Sequence, residues 1–260
     1  MQTPRIAVAN QKGGVGKTTI AINAAAALSG RGHDVLLVDL DPQGNATEHL
    51  GLMDTYDAPE PNLYSVLTDP DERAETPQLV ESHAEMDVVP SNIDATAVEP
   101  ELTMMRRSSE QLDAALDYVE AGYDAIVIDT PPTLGFLMDN ALYAATNVLI
   151  PALAESTSKR AFELLFDHCQ HLEDELQIQI EEVGVVINRI DVRKTQAQEM
   201  IDWIEDAFDD VPVWRLRERA PVQKALADHQ SLLAYEPNSD QVPTLRTIGE
   251  SLEAQLEVGT

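Results

Sequence analysis

Apolar residues fall into two recurrent patterns along the chain. Short unbroken apolar runs at 6–9, 35–39, 86–89, 125–129, 148–151, 183–188 and 211–214 predict strands. Runs such as Val35-Leu36-Leu37-Val38 and Ala125-Ile126-Val127-Ile128 do not alternate with polar residues. Strands of that kind are buried on both faces, as in a parallel sheet covered by helices. Between them, helical spacing recurs at 19–29, 111–121, 134–144, 159–176, 195–208 and 222–227. A last helix is predicted at 244–256, with Pro243 near its start. Strand–helix alternation predicts an α/β, doubly wound, mostly parallel sheet with helices on both faces. The segment 53–85 breaks the rhythm with Pro59, Pro61, Pro70 and Pro77, and reads as a surface excursion with one short helix at 63–67. With no linker of low complexity and no internal repeat, residues 1–260 are expected to form one domain.

Composition narrows the class. The apolar share of 43% is enough to fill a core, and no apolar run approaches a membrane span. No signal-peptide pattern opens the chain, so the expected location is the cytoplasm. The single cysteine, Cys169, excludes a disulfide framework and any paired-cysteine metal or iron–sulfur site. It lies on an apolar helical stripe with Phe162, Leu165, Phe166 and Leu172, and is expected in the core. His168 and His171 share a helix with acids but lack metal-ligand spacing, and read as a solvated face. The net charge is −29, from 46 acidic and 17 basic residues. The acids are spread along the whole chain, a pattern resembling proteins of salt-accumulating halophiles.

The chemistry concentrates at Lys12-Gly13-Gly14-Val15-Gly16-Lys17-Thr18-Thr19, between the first strand and the first helix. Glycines let backbone wrap an anion, and a helix N-terminus aims N–H groups at it. Lys17 supplies a full positive charge for phosphates, and the Thr18 hydroxyl can ligate Mg²⁺. The second strand ends in Asp39-Leu40-Asp41, whose carboxylates at i and i+2 point the same way. One can hold the hydration shell of a metal and the other can orient a water. The strand 125–128 ends in Asp129, a common source of a further metal-organising carboxylate beside a phosphate loop.

Three blocks together, Lys12–Thr19, Asp39–Thr47 and Asp129–Gly135, resemble the ParA/Soj family of partition ATPases, of the deviant Walker A class of P-loop NTPases. Residues 183–191 and 234–239 resemble later blocks of the same family. The resemblance implies ATP and Mg²⁺ as ligands and an ATP-sandwich homodimer. It implies that Lys12 reaches the partner's phosphates, Lys17 binds the β and γ phosphates, Thr18 binds Mg²⁺ and Thr19 contacts the α phosphate. Asp41 would position the attacking water, while Asp39 and Asp129 would organise the metal. Slow hydrolysis would serve plasmid or chromosome partition. Asn188 and Arg189 would approach the adenine, as would the block 211–221 with Pro212 and Trp214; Trp214 either stacks on the base or packs in the core.

The resemblance also implies non-specific DNA binding late in the chain, close to the nucleoid, and a ParB-like or adaptor protein that stimulates hydrolysis. Seven of the 17 basic residues gather there: Arg189, Arg193, Lys194, Arg215, Arg217, Arg219 and Lys224, with Arg106 and Arg107 as a separate pair. They either meet phosphates or pair with neighbouring acids. Other members of the wider class cycle on membranes as MinD does, through a basic C-terminal helix; residues 250–257 here are acidic, so no membrane partner is expected. Amide ligases that share the loop, and ATPases that position another cargo, complete the alternatives.

Overall fold

The computed structural model describes residues 2–191 and 195–259. Its strands are β1 (Arg5–Val8), β2 (Val35–Asp39), β3 (Glu81–Ser82), β4 (Asp87–Val89), β5 (Ala125–Asp129), β6 (Thr146–Leu153), β7 (Glu181–Ile190) and β8 (Val213–Arg217). The helices are α1 (Lys17–Ser29), α2 (Asn45–His49), α3 (Leu63–Thr68), α4 (Val98–Met104), α5 (Gln111–Leu116), α6 (Phe136–Ala145), α7 (Thr157–Leu176), α8 (Thr195–Ala207), α9 (Ala220–Ala227), α10 (Leu232–Tyr235) and α11 (Val242–Leu256). The strands form one sheet in the order β3-β4-β2-β5-β1-β6-β7-β8, parallel throughout except for the short β3. From β1 the chain builds outward to both sides, so the crevice beyond its C-terminal end is the switch point where ligands of such sheets bind.

Strand alternation sorts the core into two layers. Ile6, Val8, Val35, Leu37, Ala125 and Val127 pack under α1 and α11. Ala7, Leu36, Val38, Ile126 and Ile128 pack under α3 to α8. By the same alternation Asp39 and Asp129 end their strands on the α1 face, and the register sets them directly side by side. α1 is apolar all round because it lies between the sheet and α11. There Gly249 lets the two helices touch: a Cβ at 249 would come within 2.8 Å of Ala27 Cβ.

The excursion holds the expected short helix, α3, capped by Asn62 and Ser65 in a reciprocal capping box. Two boundaries differ from expectation, and the second moves candidate residues. The predicted helix at 111–121 stops at Leu116 and gives way to turns. The last strand spans Val213–Arg217 instead of 211–214, so that Trp214 and Leu216 enter the core while Arg215 and Arg217 face outward. Cys169 is buried as expected, and burial pushes its thiol up to about 12. His168 is not a solvated face: it lies 2.7 Å from Asp139 Oδ1 and joins α7 to α6.

Candidate functional site

The loop after β1 is built by its own polar residues. Asn10 Nδ2 donates to the Pro151 carbonyl at 2.7 Å, and Asn10 Oδ1 accepts the Lys12 N–H at 2.8 Å. This side-chain turn launches the chain away from the sheet. Gly16 then takes a left-handed conformation, φ 93°, as the N-cap of α1, with no side chain capping the helix. A Cβ at 16 would fall 2.3 Å from Asn188 Nδ2. The first-turn N–H groups of α1 therefore have no side-chain acceptor, an arrangement suited to an anion.

Lys17 is buried at the loop's inner edge, and burial lowers its pKa against the opposing pull of Asp129 and Asp41. Asp39 is completely buried. Its Oδ2 accepts the Thr47 N–H at 2.8 Å and the Thr47 hydroxyl at 2.7 Å, while Oδ1 has no hydrogen-bond partner. Burial holds its carboxyl up at about 6, against the Thr47 hydrogen bonds, with Asp41 adding to the rise. Asp129 is also fully buried and neither oxygen completes a hydrogen bond; the neighbouring Thr18 hydroxyl eases its charge from outside bonding geometry. Burial first, and Asp39 second, raise its pKa well above the usual carboxylate range. Asp41 is raised by burial too, and its Oδ1 accepts the Gln43 N–H at 3.0 Å.

Three buried, unpartnered carboxylate oxygens cost much free energy unless a cation meets them. Among the described residues no group of three or more His, Cys, Asp or Glu could hold a metal ion by itself. A divalent cation held by one or two carboxylates, a threonine hydroxyl and a ligand's phosphates fits that chemistry. Thr18, Asp39 and Asp129 are the residues here that could take part in holding it.

Three residues behind the site carried no assigned role in the sequence. Thr47 fixes Asp39; the Ser91 N–H donates to Thr47 Oγ1 at 2.8 Å, and Ser91 Oγ donates to the Asp41 carbonyl at 2.7 Å. Tyr56 donates to the Pro42 carbonyl at 2.6 Å, its ring lying against Gly44. Thr47 ends a recognised motif, but Ser91 and Tyr56 carry no local signal, because only the fold brings 56 and 91 beneath the loop 41–44.

The outer residues divide. Lys12 is turned within its own chain: Nζ lies 2.6 Å from Glu155 Oε2 and donates to Thr157 Oγ1 at 2.7 Å, at the start of α7. Asn188 is buried, and its Nδ2 donates to the Val15 carbonyl at 2.9 Å, which makes it a clamp on the loop. Arg189, in a left-handed conformation, donates from Nη1 to the Gly14 carbonyl at 3.1 Å. Trp214 does not reach the site. It is 9% exposed, inside the core, and occupies the space a side chain at Gly184 would need. Pro212 is likewise displaced, because it precedes β8 at the strand's far end, where its carbonyl accepts the Val185 N–H. Of the two readings open for Trp214, packing in the core is the one the structure shows; Pro212 departs from the adenine-facing expectation because it lies before β8, at the start of the strand.

The late basic residues are mostly paired. Arg215 meets Glu205, and Arg217 and Arg219 meet Asp240. Arg107 pairs with Glu110, and Lys224 is exposed on α9. Arg193 and Lys194 lie outside the described residues.

Residues 3–182 match the family model described as AAA domain. The sporulation initiation inhibitor protein Soj of Bacillus subtilis is 33% identical over 237 residues, covering 90% of this chain and 92% of that protein. The chain belongs to the ParA/Soj family of P-loop ATPases. The chromosome partitioning protein ParA of Caulobacter vibrioides is 36% identical over 213 residues, 79% of this chain and 76% of its own. Among solved structures, cobyrinic acid a,c-diamide synthase of Mycobacterium smegmatis with bound ADP and magnesium superposes with a TM-score of 0.78. It is 30% identical, over 99% of this chain and 97% of that one. This ParA/Soj family member thus shares the whole sheet, and not only the loop, with nucleotide-binding proteins.

Proposed function

We propose that this family member binds ATP with Mg²⁺ at the Gly13–Thr19 loop, closes as a homodimer around two nucleotides, hydrolyses ATP slowly and binds DNA non-specifically in partition. The observation that carries the reading is the set of buried, unpartnered oxygens on Asp39 and Asp129, side by side in the sheet, with Asp129 and Asp41 acting on the charge of Lys17 at an uncapped helix start. Lys17 and the α1 N–H groups would take the β and γ phosphates, and Thr19 the α phosphate. Bound Mg²⁺ supplies charge neutralisation between the phosphates. Thr18 would ligate it, and Asp39 and Asp129 would order its surroundings. Asp41, anchored by the Gln43 N–H, would orient the attacking water. Phosphoryl transfer needs mainly positioning and charge stabilisation, and one carboxylate holding the water gives slow turnover. For Lys12 to reach a partner's phosphates it must exchange Glu155 for them. A ParB-like or adaptor protein would accelerate the cycle.

A second reading, amide synthesis, draws on the likeness to the diamide synthase. Release of ammonia from glutamine needs a nucleophile, and the single cysteine is buried with its thiol raised to about 12. Membrane cycling finds no support in the acidic C-terminal helix, and no described helix is long and apolar enough to cross a membrane.

The test is the oligomeric state of Asp41→Ala by light scattering with ATP or ADP, together with its turnover and duplex binding. A dimer that persists in ATP, dissociates in ADP and turns over at least about tenfold more slowly supports the proposal. Hydrolysis at the normal rate removes Asp41 from its role, and a monomer in ATP removes the sandwich.

A further inference from the structure

Asp41 opens a tight turn, Asp41-Pro42-Gln43-Gly44, closed by the Gly44 N–H on the Asp41 carbonyl at 2.9 Å. Its own Oδ1 braces the same turn by accepting the Gln43 N–H at 3.0 Å. A turn held only by itself would leave the carboxylate free to swing. Here two residues from distant parts of the chain grip its first two carbonyls. Ser91, buried just after β4, donates from Oγ to the Asp41 carbonyl at 2.7 Å. Tyr56 donates from its hydroxyl to the Pro42 carbonyl at 2.6 Å. The Tyr56 ring also closes over Gly44, where φ is 63° and a Cβ would fall 2.7 Å from a ring carbon. The two grips share one frame. The Ile93 N–H donates to the Tyr56 carbonyl at 3.0 Å, and Asn92 Nδ2 donates to the Ala58 carbonyl at 3.0 Å.

We propose that Tyr56 and Ser91 are positioning residues for hydrolysis: by pinning the Pro42 and Asp41 carbonyls from two sides they aim the Asp41 carboxylate, and so set turnover while leaving nucleotide affinity alone. The proposal rests on the reading of Asp41 as the group that orients the attacking water, and adds what holds it to that task. Both residues act through backbone carbonyls, so neither needs to touch the nucleotide. A carboxylate that orients a water loses rate when its direction drifts, even where binding is intact. Burial first, and Asp39 second, hold the Tyr56 phenol above its ordinary pKa, so the hydroxyl keeps the proton it donates. Ser91 has a second duty that its hydroxyl does not carry. Its N–H donates to Thr47 Oγ1 at 2.8 Å, and Thr47 in turn donates to Asp39. Ser91→Ala therefore loosens Asp41 and leaves the metal side in place. Tyr56→Phe keeps the ring over Gly44 and deletes one hydrogen bond.

The test is single-turnover hydrolysis of radiolabelled ATP with Mg²⁺, beside ATP affinity by calorimetry. Tyr56→Phe and Ser91→Ala should each slow turnover about fivefold, and together at least about tenfold. ATP affinity and its Mg²⁺ dependence should change less than about twofold. Tyr123→Phe is the control for a merely structural bond. It too deletes a phenol hydrogen bond, to Asp87 Oδ2 at 2.9 Å, at the opposite end of β4. It should lower the melting temperature and leave turnover unchanged. Bonds that only fasten residues 53–63 to the sheet would behave as Tyr123 does. In an Asp41→Ala background, Tyr56→Phe should slow turnover no further. The proposal is overturned if Tyr56→Phe and Ser91→Ala turn over at the wild-type rate, or lose rate only by losing ATP. It is overturned equally if Tyr56→Phe costs as much without the Asp41 carboxylate as with it. A slow Asp41→Ala beside wild-type rates in the other two sinks this proposal alone, whereas a normal rate in Asp41→Ala sinks the water-orienting reading beneath it.

Discussion

At the residue scale, the site is held at an energetic cost by Asp39. A carboxyl raised from its usual value to about 6 binds a proton on folding, so its contribution to stability is most favourable at low pH and is lost as pH rises through about 6. At neutral pH the ionised, half-satisfied group strains the nucleotide-free protein. Asp39→Asn should therefore stabilise that form at pH 7, by on the order of 1 kcal/mol, while weakening Mg²⁺-dependent nucleotide binding. Thermal melts with and without ATP–Mg²⁺ check both signs; a destabilised free form would contradict the account. Because a cation needs the ionised carboxylate, Mg²⁺-dependent ATP affinity should also fall as pH drops below about 6. Calorimetry in buffers of different ionisation heat would show proton release on binding near that pH.

At the element scale, the loop and α1 depend on close approaches that glycine alone permits. Gly16→Ala meets both a positive φ and Asn188 at 2.3 Å, and should abolish nucleotide binding. Asn188→Ala frees the Val15 carbonyl, and should weaken ATP binding with little loss of stability, read by calorimetry and by melting. Gly249→Ala separates α11 from α1, and should destabilise by about 1–3 kcal/mol while the folded protein keeps its ATP affinity. Denaturant titration beside ATP calorimetry separates the two effects. These elements also show what a sequence reveals. The seven strands were legible because a buried parallel strand is an unbroken apolar run, and the phosphate loop because its chemistry is local. The two-residue β3 and the short α4 and α10 leave no periodic trace. Pro212 is displaced because β8 starts two residues later than its apolar run suggests, and Trp214 takes the core alternative because this edge strand buries alternate residues. Ser91 under Thr47 is a contact across 44 residues that only the folded sheet creates.

At the scale of the whole molecule, a net charge of −29 makes salt a structural variable. Self-repulsion between like charges is screened as ionic strength rises. Melting temperature should climb with KCl well beyond physiological concentration, whereas duplex binding should weaken steeply over the same range. A flat melting curve would show that the acids are balanced locally and would remove the basis for reading the charge as an adaptation to salt. The central claim is narrower than partition: the loop, Lys17 and the paired strand-end aspartates together hold ATP with Mg²⁺. Titration calorimetry of ATP into the protein with excess Mg²⁺, at a salt concentration where melting shows it folded, tests that most directly. One ATP per chain is predicted, with binding lost in Lys17→Ala and weakened in Asp129→Asn. Absence of heat in the folded wild type, or binding undiminished by Lys17→Ala, would contradict it.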